Sequence, residues 1–377
     1  MIAPRFRVPR SIPLLLIGLL CLVCAQSRAA AASAFEQIRG TVNTLTGSDC
    51  AKPMVLSLTK HGRPILGVAI TDPDVPIEGK TRIIIVAGQH GNEPHSAFAA
   101  AELAVQWSKD DAFADLRQDA IVLIIPAANP DGLAHATRYD SSGADPNRDW
   151  NRLSLPETST IARAIDQWKP HLILDEHEWS QTDGYRFDCV ELSGSGANPA
   201  LISLARHIRA ESMPAEFSPV DSQPWRDPSL FHRHFLAEGY LTYLIETSPG
   251  ESIASKQQLY IQLTVALSRQ VIAERDSIDR CSASSGRYTL PAQIAAWRPT
   301  PKPVGEKKSF CGEAAVALAA IYCLLLLCGQ AKRPSGARVG EGKRMAPRGT
   351  CVPATPYGML PEITYRSQAS RRSRRGR

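Results

Sequence analysis

Two histidines and two glutamates dominate the chemistry this chain could do. His90 and Glu93 stand three residues apart in His90-Gly91-Asn92-Glu93, where an apolar run ends at Gly88. An imidazole and a carboxylate on one side of a turn can hold two corners of a zinc ion and leave room for a third ligand and a water. Taken alone, the pair is explained better by a solvated loop. Downstream, His177 sits in Asp175-Glu176-His177-Glu178-Trp179 and Glu246 in Glu246-Thr247-Ser248-Pro249-Gly250. A second imidazole joined to His90 and Glu93 makes the His₂Glu donor set of hydrolytic zinc sites, and a further glutamate can act as general base for a metal-activated water. The polar loop 137–152 lies between them, and its arginines could stabilise an oxyanion and hold an anionic group of a substrate.

Plainer readings stand beside these. His177 could cap a strand, although Asp175, Glu176 and Glu178 around it argue against a bare core histidine. Glu246 could be a glutamate that merely ends a strand. Arg148 and Arg152 could be surface charges, the better reading for Arg152. His232 and His234, two apart in Phe231-His232-Arg233-His234-Phe235, read as structural.

For the chemical residues to meet, distant strand ends must share one rim. Apolar runs predict strands over 54–58, 65–70, 81–87, 120–127, 170–175 and 241–245, the first two forming a hairpin. Helical patterns follow His90 to about Trp107 and cover 156–168, 198–211 and 252–275. Asn129-Pro130-Asp131-Gly132 is a turn by composition. Strands alternating with helices give an α/β fold, a mixed and mainly parallel twisted sheet with helices on both faces. In such sheets the loops beyond the carboxyl ends of the strands gather where ligands bind.

Four motifs in order, each after a predicted strand, carry a family likeness: His90-Gly91-Asn92-Glu93, Asn129-Pro130-Asp131-Gly132, Asp145-Pro146-Asn147-Arg148, and His177 followed by Glu246. Over about residues 50–275 the sequence resembles the zinc metallocarboxypeptidases of the carboxypeptidase A type. The resemblance implies one zinc ion per chain, bound by His90, Glu93 and His177, and a peptide substrate with a free C-terminus. It implies that Asp145 orients His90, and that Asn147 and Arg148 bind the terminal α-carboxylate. Arg138 would polarise the scissile carbonyl, and Glu246 would activate water and pass its proton to the leaving amine. Pro146 and Trp150 replace the aliphatic residue and Phe of many relatives. Relatives also carry a mobile tyrosine; Tyr240 and Trp225 are the nearest aromatic residues, and neither is assigned that role. Two other functions fit much of the pattern: a zinc-dependent deacylase similar to aspartoacylase and succinylglutamate desuccinylase, and a non-catalytic binding module on the same fold.

The chain has 377 residues and a formal net charge of +6, unevenly spread. Residues 331–377 hold twelve Lys or Arg against Glu341 and Glu362, so the stretch 31–330 is net negative, which argues against nucleic-acid binding. Residues 1–30, with Arg5, Arg7 and Arg10 before an apolar core, read as an export signal. Residues 31–285 are the expected catalytic domain and 286–313 a Pro-rich linker. Residues 314–331, free of charge, read as a membrane-spanning helix and 332–377 as a basic disordered tail. The expected location is therefore the periplasmic or extracellular face, with anchoring through the C-terminal apolar segment. Cys50, Cys189 and Cys281 allow one disulfide without choosing the pair.

Overall fold

The computed structural model describes residues 32–179, 187–193, 197–222, 229–249 and 252–297. The expected signal, membrane-spanning segment and basic tail lie outside them. Among the described residues no helix is long and apolar enough to cross a membrane.

Eight strands form one sheet: β1 (Ala51–Leu58), β2 (Pro64–Ile70), β3 (Thr81–Ala87), β4 (Ala120–Ile125), β5 (Leu172–Glu178), β6 (Asp188–Ser193), β7 (Phe217–Ser222) and β8 (Thr242–Thr247). Their spatial order is β1-β2-β4-β3-β5-β8-β6-β7. The central β4-β3-β5-β8 strands run parallel, whereas β2 joins β4 and β6 joins β8 in antiparallel fashion. Central strands buried on both faces favour apolar residues, which is why residues 83–87 and Ala120–Ile125 read as unbroken runs.

The two faces carry separate cores. Ile83, Ile85, Leu172 and Leu174 point into one with helices α1 (Ala34–Asn43), α2 (Pro94–Lys109), α6 (Pro199–Ser212) and α8 (Ile253–Ala273). Ile84, Val86, Leu123 and Ile173 point into the other with α5 (Pro156–Trp168) and α7 (Phe231–Ala237). Short helices α3 (Ala114–Asp119), α4 (Pro130–His135), α9 (Arg275–Cys281) and α10 (Ala292–Ala295) complete the described chain.

Several sequence expectations shift. The Asn129-Pro130-Asp131-Gly132 turn is the start of α4, with the Asn129 side chain capping Gly132 N–H at 2.8 Å and Pro130 in the first turn, where its missing donor costs nothing. Strands β5 and β8 run further than predicted, so His177 and Glu246 lie within strands, not beyond their ends. Residues 286–297, expected to open the linker, pack Leu290, Ile294 and Trp297 into the second core. Cys50, Cys189 and Cys281 are each free thiols.

His171 ties this C-terminal part to the sheet. Its Nδ1 accepts the Arg82 backbone N–H at 2.8 Å, and its Nε2 lies 3.2 Å from Asp279. Burial, with the Arg82 and Arg275 guanidinium groups, outweighs Asp279 and holds the imidazole down at about 4. Between that value and the ordinary 6.5 the unfolded chain binds the proton and the folded chain does not, so stability falls as pH falls through this window. The expected loss is on the order of 3 kcal/mol between pH 6.5 and 4. Denaturant titrations of wild type and His171→Asn across that range should differ in slope, and equal slopes would refute the assignment.

Candidate metal and active site

Strand β3 delivers the first two donors. Gly88, at φ +70°, turns the chain off the strand, and a side chain there would crowd Leu133 and the Pro126 carbonyl. Gly91 lies against α4: a Cβ on Gly91 would stand 1.9 Å from the Gly132 carbonyl carbon. The Gly91 N–H donates to the Thr137 carbonyl at 2.8 Å, and the Asn129 amide donates to the Gln89 carbonyl at 3.1 Å. The Asn-Pro-Asp-Gly motif is therefore a buttress for the His90 loop. Gly91→Ala should displace that loop, costing about 1–3 kcal/mol of stability by overpacking and weakening metal binding. Thermal melts and zinc competition against a chelator measure both, and an unchanged zinc affinity would contradict the buttress role.

Strand β5 delivers the third donor. Side chains alternate faces along a strand, and Asp175-Glu176-His177-Glu178 divides accordingly. Glu176 accepts from Thr264 at 2.8 Å and Glu178 is paired with the fully buried Lys256, both on α8. Asp175 and His177 face the other way, beside His232 of α7.

His90, Glu93 and His177 are buried, and one donor atom of each lies within 4.8 Å of the others. Glu93 Oε1 is 2.9 Å from His90 Nδ1, and its Oε2 is 3.0 Å from His177 Nδ1. The opposite ring nitrogens meet carboxylates: His90 Nε2 lies 3.1 Å from Asp145, and His177 Nε2 lies 2.9 Å from Asp175. With an ion bound, a proton held on each Nε2 toward its carboxylate would leave both Nδ1 atoms free to ligate, the arrangement that metal-binding histidines need. Two imidazoles and a carboxylate at this separation fit zinc. Burial pushes Glu93 up, but His90 and His177 outweigh it and hold the carboxyl at about 2, so it is ionised and ready to ligate.

Asp145 does more than orient His90. It accepts from Arg138 Nε at 2.9 Å and from the Asn147 N–H at 2.9 Å, while Arg138 Nη1 also reaches Glu93 at 3.3 Å. Burial raises the Asp145 carboxyl, but His90 and Arg138 lower it well below the usual carboxylate range. Asn147 is buried, with Oδ1 accepting the Phe231 N–H at 2.9 Å and Nδ2 lying 3.3 Å from His177 Nε2. Arg148 donates to the Asn147 carbonyl at 2.7 Å.

Glu246 pairs with His177 in the parallel β5–β8 register, which sets the two side by side. It lines the same cavity of about 920 Å³ as His90, Glu93, His177, Arg138 and Arg148. Its Oε2 is buried without a hydrogen-bond partner among the described residues. Burial raises this carboxyl well above the ordinary value; Glu93, Asp175 and Glu191 add to the shift, and His177 opposes it.

Sequence reasoning missed Asp175, Gln89, Glu191 and the part His232 plays. Gln89 donates to Asp175 at 2.6 Å and accepts from Trp150 Nε1 at 3.0 Å, so the unusual Trp150 steadies the partner of His177. His232 links Asp175 to Glu191, which agrees with a structural role; His234 meets Glu238 away from these groups. Tyr240 is buried in the second core against Phe235, and Trp225 lies outside the described residues.

The fold and the site together define a mixed α/β protein with a buried His₂Glu metal centre in an open cleft. Comparison with known proteins narrows this. Residues 46–211 match the zinc carboxypeptidase family. It is 30% identical over 139 residues to probable carboxypeptidase 2 of Arthroderma benhamiae, covering 36% of this chain and 26% of that one. It is 35% identical over 108 residues to zinc carboxypeptidase A 1 of Drosophila melanogaster, covering 24% and 25%. The matched region is thus about a quarter of the length of these relatives. Among solved structures, a metallo-carboxypeptidase from Pseudomonas aeruginosa, in complex with (2-guanidinoethylmercapto)succinic acid, superposes with a TM-score of 0.55 at 20% identity, covering 64% of this chain and 69% of that one. Carboxypeptidase A of Helicoverpa armigera gives 0.52 at 15% identity, covering 72% and 83%. These likenesses bear on the fold.

Proposed function

We propose that this protein is an exported zinc carboxypeptidase that removes residues from peptide C-termini. The observation that carries the reading is the convergence of His90, Glu93, His177, Glu246, Arg138 and Arg148, drawn from separate motifs, on one cavity. When bound, zinc supplies Lewis acidity toward a water and toward a peptide carbonyl oxygen. Glu246 takes the proton of the attacking water and returns it to the departing amine, work suited to a glutamate whose burial makes it more basic than an ordinary carboxylate. Arg138, steadied by Asp145 and Glu93, donates to the carbonyl oxygen as negative charge develops there. Arg148 pairs with the terminal carboxylate, and Asn147 holds the loop that carries it. Export is supported by the arginines and apolar core of residues 1–30. Anchoring by residues 314–331 is the companion proposal, supported by the absence of charge there and by Lys332 and Arg333 after it.

Incubating the full chain with a peptide library and reading the products by mass spectrometry tests the activity. Loss of single C-terminal residues, stopped by a chelator and restored by zinc, is expected. Release of a dicarboxylate from N-acyl amino acids instead would make the protein a deacylase. A stoichiometric zinc content with neither activity would make it a binding module.

A further inference from the structure

Resting on the peptidase reading, we infer that Arg233 makes the site select C-terminal residues with acidic side chains. The cavity extends past Glu246 to a wall made by Glu191 on β6, Leu244 on β8, and Leu230 and Arg233 at the start of α7. Glu191 and Leu244 are paired in register, two residues along from the Cys189–Glu246 pair. Helix α7 is moored by the Phe231 N–H on Asn147, next to Arg148. A terminal residue held by its carboxylate at Arg148, with its scissile bond between Glu246 and the metal donors, must lodge its side chain against this wall.

The wall contains charges of both signs, and their existing bonds decide which sign is on offer. Glu191 Oε1 already accepts from His232 Nε2 at 3.2 Å and from Arg233 Nη2 at 3.1 Å. Arg233 gives that oxygen a single N–H, and its Nε is buried with no partner among the described residues. Arg233 lines the cavity, so the guanidinium favours a ligand that brings an acceptor. A carboxylate can take two terminal guanidinium N–H groups together in a forked pair. A cationic side chain would meet the guanidinium and find Glu191 already countered, and an aliphatic one would bring it no acceptor. The wall therefore fits glutamate or aspartate.

Kinetics of the zinc-loaded full chain on peptides differing only in a final Glu, Leu or Lys test this, with calorimetric binding of the free L-amino acids alongside. The expected kcat/KM for Glu exceeds both others by about ten- to a hundredfold. Arg233→Gln should erase that advantage chiefly through KM while cleavage of the Leu peptide persists, and Arg233→Glu should turn the preference toward Lys. Because each comparison is a ratio within one protein, partial loss of folded material cannot imitate the result. A wild-type preference for Leu or Lys, or a ratio unchanged in Arg233→Gln, overturns the inference and leaves the peptidase reading intact. If no peptide is cleaved, the peptidase reading falls, and calorimetry judges the wall alone. Tighter binding of L-glutamate than L-leucine, lost in Arg233→Gln, upholds the charge preference; equal binding overturns it.

Discussion

Glu246→Gln loses about 10²- to 10⁴-fold in kcat, the range associated with a positioned general base, while its zinc content stays that of the wild type. Glutamine keeps the shape of the side chain and cannot take the proton. Zinc is retained because the donor set is His90, Glu93 and His177, and Glu246 stands beside it on the neighbouring strand. Folding should not suffer: the carboxylate is buried with Oε2 unpartnered, so an uncharged amide costs no more to bury. Steady-state kinetics, metal analysis and a thermal melt on the same preparation separate the possibilities. Turnover within tenfold of wild type would remove Glu246 from the chemistry, and joint loss of activity and zinc would make it part of the metal site.

The second large effect is expected at the donors. Glu93→Ala leaves two imidazoles facing one another with no charge between them, so zinc affinity should fall by more than the roughly 10- to 100-fold that partners of ligands contribute. Asp145→Asn, which acts on the far side of His90, on Arg138 and on the Asn147 N–H, should fall within that smaller range. A thermal readout makes the comparison direct. An ion that binds the folded chain at a thousand times its Kd stabilises by about 4 kcal/mol, so zinc should raise the wild-type melting temperature clearly and that of Glu93→Ala hardly at all. An equal zinc shift in both proteins would mean that the ion binds elsewhere.

Much of this site was legible in the sequence because its motifs stand where buried strands stop. Residues 83–87 are apolar throughout, so the polar His90 loop after them reads as the rim of a sheet. Pro156–Trp168 was equally plain, with proline at its start and apolar residues at helical spacing. What escaped was buried polarity. Strand β6, Asp-Cys-Val-Glu-Leu-Ser, does not read as a strand because Asp188 and Glu191 are buried through bonds to residues remote in sequence. Strand β7 contains Pro219, which an edge strand tolerates, and among the described residues β7 pairs with β6 alone. Gln89 could not be assigned for the same reason: its partners, Asp175 and Trp150, become neighbours only when the sheet forms. The Asn129-Pro130-Asp131-Gly132 motif was visible, but its purpose was not, since nothing in one dimension says that Gly132 lies against Gly91.

The most direct measurement is anomalous diffraction at the zinc absorption edge from crystals of the full chain grown with zinc. One strong peak is expected, about 2.0–2.2 Å from His90 Nδ1, a Glu93 oxygen and His177 Nδ1. A peak held by other residues, or none at this cluster with zinc in excess, would contradict the account.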